Sequence, residues 1–225
     1  LARGAGIPTA LFWMAGNEKE LVAAEKEILA HLPVFAKPAF EGSSKGIRLK
    51  SRIATPEEYR TFASDLLRTY HQPVIFETFL GGAEYTVGVV GNDPPRVCGM
   101  MEIAPTGKFN REQPHFIYSL EVKRNYKDLV EYRGPDRIPV PVRAELERLA
   151  LASYRALGCR DVSRIDFRAD DQGKIYFLEI NPLPGLSAVY SDIVIAANLS
   201  GGNYRDLFRE MLNAALTRNG LPAVG

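Results

Sequence analysis

Glu179 and Asn181 stand two apart in the apolar run "KIYFLEINPLPGL", residues 174–186. In an extended chain they project from the same face. A carboxylate on such a strand costs several kcal/mol to bury unless a positive group meets it. The segment just before it, "VSRIDFRAD", alternates in the same way, and "DDQG" is a turn signal. "VSRIDFRA" and "KIYFLEIN" are therefore expected to pair as a β-hairpin. With residues 170–173 as the loop, Ala169 opposes Lys174 and Arg164 opposes Glu179. Asp166 then lies one diagonal step from Glu179, roughly 7–8 Å between α-carbons. Asn181 extends the row. Two carboxylates and an amide oxygen form a hard-oxygen set without the thiolate or imidazole that zinc prefers, and magnesium bridging to phosphate oxygens fits it best. Without a cation, like charges this close would drive one carboxyl to keep its proton. On spacing alone a plainer reading stands on even terms with this one: a sheet surface on which Arg164 and Arg168 simply pair with the acids.

The turn "KPAFEGSSKG" favours the first reading. Gly42 and Gly46 permit a close-approaching backbone. Ser43, Ser44 and successive N–H groups can donate to phosphate oxygens, and Lys37 brings positive charge from the preceding strand. The pattern is not a Walker A loop, which opens a helix. Here both flanks, "VFAKPAF" and "IRLKSRI", read as strands, so the loop is expected to be a flap over phosphates. "GAG" at residues 4–6 has no strand-to-helix context, and His31, His71 and His115 form no ligand pattern. No Ser-His-Asp or Cys-His arrangement can be argued.

The elements that would position these groups are mixed. "NEKELVAAEKEILAHL" has helical spacing at Leu21, Ala24, Ile28 and Leu32, with Asn17 as N-cap. "TPEEYRTFASDLLRTY" opens with Thr55 as N-cap, Pro56 at the first helical position and Glu58 closing a capping box. "PVIFETFL" reads as a strand that Gly81-Gly82 breaks, and "AEYTVGVVG" and "RVCGMMEIA" follow as strands. Residues 105 to about 141 read as a long, polar, irregular loop. "VRAELERLALASYRALG" is a helix that ends at Gly158, and a last helix runs from about Tyr204 to Arg218. Strands and helices interleave without regular βαβ repetition, so the expected class is α+β, not a doubly wound sheet.

With 225 residues, 46% hydrophobic and 24% charged, the chain can build a sizeable core as one large domain or two lobes. A net charge of +1 argues against a nucleic-acid surface spread over the whole molecule. Cys98 and Cys159 make neither a disulfide framework nor a zinc spacing, which suits a reducing, cytoplasmic setting. No apolar stretch approaches the ~20 residues of a membrane helix, and no signal peptide is read. The chain opens in mid-pattern at "LARGAGIPTALFWM", so a preceding segment is expected.

Taken in order, "FAKPAFEGSSKG", "VIFETFLGGAEYTVGVVG", "LGCRDVSRIDFRAD" and "IYFLEINPLPGLS" resemble the D-alanine–D-alanine ligases of the ATP-grasp superfamily, over nearly the whole chain. The resemblance implies an ATP-grasp fold of two α+β lobes, residues 1–79 and 80–225, clamping ATP. It implies a ligase that joins a carboxylate to an amine through an acyl phosphate, with ATP and two magnesium ions, for which manganese can substitute. Its substrates would be small and amino-acid-like, with no nucleic acid or membrane partner, and a homodimer stays open. Asp166, Glu179 and Asn181 resemble the magnesium ligands. Lys37 resembles the lysine on the ATP phosphates, and Glu41, Gly42, Ser43 and Ser44 the flap over them. Glu77 and the backbone at Phe79 and Leu80 match the strand that reads adenine, and Glu84 the acid on the ribose. Lys123 resembles a phosphate lysine on a closing loop. Arg164 resembles the oxyanion arginine, assisted by the Gly185 N–H. Three features depart from the family: the residues at hand open where its central domain would open, the lid reads "SLEVKRN" with Arg124 where a tyrosine is usual, and Tyr190 stands at a usual serine, with Ser191 beside it. Two other readings remain: an ATP-grasp ligase making a different dipeptide or amide, and a nucleotide-binding module without ligase activity.

Overall fold

The computed structural model describes residues 1–42, 44–107, 115–119, 122 and 125–225. They form two compact units. The small unit comprises Ala10–Gly81 with Pro105–Val130, and the large unit Leu1–Thr9, Gly82–Ala104 and Glu131–Gly225. The sequence places a single boundary after residue 79. In the structure the chain crosses between units several times, and residues 1–9 and 105–130 each join the unit opposite to that division.

The small unit contains β1 (Phe12–Ala15), α1 (Glu18–Leu29), β2 (Val34–Pro38), β3 (Arg52–Ile53), α2 (Pro56–Tyr70), β4 (Val74–Thr78) and the short α3 (Tyr126–Leu129). Its sheet has the order β1-β4-β2-β3, and its pairs are antiparallel. Both helix starts follow from local chemistry. The Asn17 side chain accepts the Glu20 N–H, and Thr55 and Glu58 form the reciprocal capping box. Alternation then sorts the strands. Ala15, Val34, Ala36, Ile53, Val74 and Phe76 pack with α1 and α2 in one core. Phe12, Met14, Phe35, Lys37, Arg52, Ile75 and Glu77, at the alternate positions, belong to the other face. "IRLKSRI" departs from its expected strand. Leu49–Ser51 form a 3-10 turn and only Arg52–Ile53 pair with β2. The cause is Ser51, fully buried, whose hydroxyl accepts the Arg48 N–H at 3.0 Å while its own N–H bonds the Arg48 carbonyl at 2.9 Å.

The large unit contains β5 (Glu84–Val90), β6 (Arg96–Pro105), β7 (Val130–Arg133), α4 (Val140–Ala156), β8 (Val162–Ala169), β9 (Ile175–Asn181), α5 (Asp192–Leu199) and α6 (Tyr204–Arg218). Its sheet runs β7-β6-β5-β8-β9, and the β5–β6, β5–β8 and β8–β9 pairs are antiparallel. Helices and mainly antiparallel sheets make the chain α+β, as expected. The second half of the stretch expected to be irregular carries α3 and β7. One sheet face, with Val87, Val89, Ile165 and Phe167, packs on Leu146, Leu149 and Tyr154 of α4. α4 ends before Gly158, which takes the expected left-handed conformation at φ 67°. The other face carries Glu84, Thr86 and Gly88 of β5 beside Arg168, Asp166 and Arg164 of β8. There α5 rests directly on glycine: a Cβ at Gly99 would stand 2.5 Å from the backbone of Ala196, and one at Gly88 2.8 Å from Ile193 Cγ1. Among the described residues, no helix is long and apolar enough to cross a membrane.

Candidate active site

The hairpin forms, but in a different register from the one expected. Ala169 opposes Ile175, Phe167 opposes Phe177, and then Asp166 opposes Glu179 and Arg164 opposes Asn181. Two one-residue changes produce this. The loop is longer because the Asp170 carboxylate accepts N–H bonds from Gln172 and Lys174, and Gly173 turns the chain at φ 82°. A β-bulge then leaves Leu178 without an opposing residue. The bulge matters for function. Ile175 and Phe177 face the core, and strict alternation would send Glu179 after them; skipping Leu178 turns Ile180 to the core and Glu179 and Asn181 to the polar face. The two acids are thus directly opposed rather than diagonal.

Arg164 lies among them, with a side chain only 15% exposed. Its Nε bonds both Asp166 oxygens at 3.1 Å, and Nη2 reaches Asp166 Oδ2 at 2.8 Å and Glu179 Oε1 at 3.3 Å. Nη1 faces Asp192 Oδ2 at 3.4 Å. Thr86 Oγ1 donates to Asp166 at 2.8 Å, and the Asn181 amide donates to Glu179 at 2.9 Å. Burial, reinforced by the Glu179 charge, pushes the Asp166 carboxyl up to about 6, against the pull of Arg164 and the Thr86 hydroxyl. Burial works against the Arg164 charge too, but Asp166, Asp192 and Glu179 outweigh it and hold the guanidinium above its ordinary value. The plainer pairing therefore does occur: Arg164 pairs with Asp166 and Glu179, while Arg168 pairs with Glu84 at 3.0 Å. Two opposed carboxylates and an amide remain a hard-oxygen donor set, and a second positive charge would relieve the pressure of Glu179 on Asp166. Among the described residues no three of His, Cys, Asp and Glu gather to hold a metal; the oxygens offered here are those of Asp166, Glu179 and Asn181.

After β9, Pro-Leu-Pro-Gly carries the chain to α5. Pro184 is buried, whereas Gly185 and Tyr190 are exposed. The loop is closed by Ser191, a buried residue whose hydroxyl accepts the Ser187 N–H at 2.7 Å. A Cβ at Gly185 would lie 3.2 Å from that hydroxyl. Ser191 thus holds the loop that presents the Gly185 backbone.

The small unit gathers a second group. Lys37 Nζ meets Glu77 Oε2 at 2.6 Å, across β2 and β4. Phe79 donates its N–H to the Pro33 carbonyl, and its ring lies under the Arg52 guanidinium at 5.2 Å and edge-on to His115 at 5.7 Å. Leu80 is buried. In the loop after β2, Glu41 pairs with Lys45 at 2.9 Å and accepts from Gln72 at 3.1 Å. The Gly42 carbonyl accepts the Lys45 N–H, and Ser44, at φ 59°, donates its hydroxyl to the Tyr118 carbonyl at 3.1 Å. Ser43 and Lys123 lie outside the described residues. Two residues of the large-unit group escape the sequence reading, Thr86 and Asp192. Thr86 carries no sequence signal; Asp192 had one, as an acid at the start of the apolar run "IVIAANL".

The profile of the D-ala D-ala ligase C-terminus family matches residues 1–213. D-alanine–D-alanine ligase B of Chromobacterium violaceum is 34% identical over 95% of this chain and 64% of its own length. The VanG D-Ala:D-Ser ligase of Enterococcus faecalis superposes with a TM-score of 0.75 at 26% identity, over 95% of this chain and 58% of that one. The D-alanine–D-alanine ligase of Bacillus anthracis, solved with ATP, gives 0.72 at 19% identity over 97% and 64%. The chain spans just under two thirds of the length of that Chromobacterium relative. It belongs to the D-ala D-ala ligase C-terminus family.

Proposed function

We propose that this chain is the ATP-handling and catalytic part of a ligase that joins the carboxylate of a small amino acid to an amine through an acyl phosphate. The observation that carries the reading is the direct opposition of Asp166 and Glu179 beside Arg164, produced by a bulge in a chain of this family. The names of the similar proteins point to D-alanine as the carboxylate substrate, with D-alanine or D-serine as the amine.

Asp166, Glu179 and Asn181 would hold magnesium or manganese, which when bound neutralises phosphate charge. Lys37, the flap from Glu41 through Gly42, Ser43 and Ser44, and Lys123 would bind the nucleotide phosphates. Glu77, Phe79 and Leu80 would hold adenine, and Glu84 the ribose. Positioning and charge stabilisation do most of the work in phosphoryl transfer. Arg164 and the Gly185 N–H then stabilise the oxygen charge that develops when the amine attacks the acyl carbon, and the amine's proton leaves with the departing phosphate. The two compact units, in place of residues 1–79 and 80–225, would be the lobes of this reading, and a homodimer is compatible with it.

The test is phosphate release from ATP by the full-length protein across a panel of D- and L-amino acids, with product identified by mass spectrometry. Release that requires an amino acid, together with a dipeptide product, is the expected result. A product other than D-alanyl-D-alanine would keep the chemistry and change the substrate. ATP binding without release under any amino acid would leave a nucleotide-binding module.

A further inference from the structure

We propose that Asp192 is the positioning residue for Arg164, an anchor that keeps the guanidinium aimed when a cation takes its other partners. The inference rests on the ligase reading for its consequence in turnover, but its geometry stands on the structure alone. Arg164 directs Nε and Nη2 at Asp166 and Glu179, the oxygens on which an ion would rest, and Nη1 at Asp192. An ion and the guanidinium therefore compete for the same oxygens. What is left to the arginine once it yields them is Nη1 on Asp192.

Asp192 is well placed for this. Its side chain, like that of Arg164, is 15% exposed, so water screens the pair weakly. It opens α5, where the positive end of the helix dipole favours a carboxylate. α5 is in turn seated by backbone contact, since side chains at Gly88 and Gly99 would collide with Ile193 and Ala196. Gly88 pairs directly with Arg164 across β5 and β8, so the helix start is fixed beside the arginine it holds. Glu179, by contrast, is 52% exposed at the sheet edge. The anchor thus belongs to a rigid element that contributes nothing to the cation ligands.

The test uses Asp192→Asn and Asp192→Glu in the full-length protein. Mn2+ binding in the presence of ADP is read by electron paramagnetic resonance, and kcat and KM are read in the ligation assay. In Asp192→Asn the guanidinium loses the Asp192 charge and is drawn more strongly to Asp166 and Glu179, so it competes harder and Mn2+ affinity should fall several-fold. Turnover should fall about tenfold as the ion pair that aims the guanidinium is lost, with KM for ATP unchanged. Asp192→Glu should recover most of both. In an Arg164→Lys background, where a point charge cannot span the two sides, Asp192→Asn should change neither further. If Asp192→Asn fails to fold, Asp192→Ser carries the same expectation. A merely structural residue would lower the melting temperature and leave Mn2+ affinity and kcat within twofold of wild type, which would overturn the proposal. Wild type that binds no Mn2+ would overturn it together with the cation assignment. Wild type that binds Mn2+ but forms no product would strike the ligase reading alone, and the Mn2+ comparison would still decide the role of Asp192.

Discussion

Each unit has a sheet face that carries a cation, but the two are held differently. On the small-unit sheet Lys37 meets Glu77 one to one at 2.6 Å, base on β2 and acid on β4. On the large-unit sheet Arg164 faces Asp166 on β8 itself, Glu179 on β9 and Asp192 on α5. The lysine is a point charge on a flexible stem, with one ion-pair partner among the described residues. The arginine fork is planar and has acceptors from three elements, so it can give up some and keep its aim.

The largest effect should come from the fixed cation. Arg164→Ala is expected to lower product formation by about two to three powers of ten, the usual consequence of losing an oxyanion donor, with MgATP binding by calorimetry no weaker than in wild type. Equal losses of binding and turnover would move Arg164 to the nucleotide site and break the comparison.

Glu179→Gln comes next. It should abolish most divalent-dependent ATP turnover while the melting temperature in metal-free buffer holds or rises, because the Glu179 charge pushes up the Asp166 carboxyl. Turnover near wild type would remove Glu179 from the cation ligands.

On the small-unit side, Lys37→Met should weaken ATP binding by roughly tenfold, the worth of one charge-assisted hydrogen bond, and spare the kcat at saturating ATP. A loss of kcat with unchanged affinity would mean that Lys37 is as fixed in its task as Arg164.

The seat of α5 offers a sharper contrast at a smaller scale. Gly99→Ala meets backbone at 2.5 Å, which cannot give way locally, and should destabilise the fold by about 1–3 kcal/mol in urea denaturation. Glu77→Gln, which breaks only the one-to-one pair, should shift stability by less than about 1 kcal/mol. A larger loss for Glu77→Gln than for Gly99→Ala would reverse the comparison.

Much of the local structure was legible because it depends on neighbours in the chain. The Thr55–Glu58 capping box, the Asn17 cap, the turn at Gly158 and the α6 span Tyr204–Arg218 all appear as read. Short strands were harder to read. β7, four residues long, sits in a stretch that reads as loop, and its pairing depends on β6, which lies far back in the chain. The expected strand at residues 47–53 lost to a buried serine whose hydroxyl closes a tight turn.

For the site, the sequence by itself determined the residue types and their shared face: Arg164 and Asp166 two apart, Glu179 and Asn181 two apart, and a glycine-serine loop after a lysine-bearing strand. Period-two alternation requires no tertiary information, so those readings depend on extended backbone alone. Only the tertiary structure decided which acid stands across from which. The side chain of Asp170 set the loop length and the bulge at Leu178 set the register, and each moved the pairing by one residue. Only the tertiary structure, too, brought Thr86 to Asp166 and Asp192 to Arg164, from 80 and 28 residues away in sequence. Such contacts depend on how strands pair and on how closely a helix can approach a sheet, here set by two glycines, and neither is encoded in the spacing of the residues that meet.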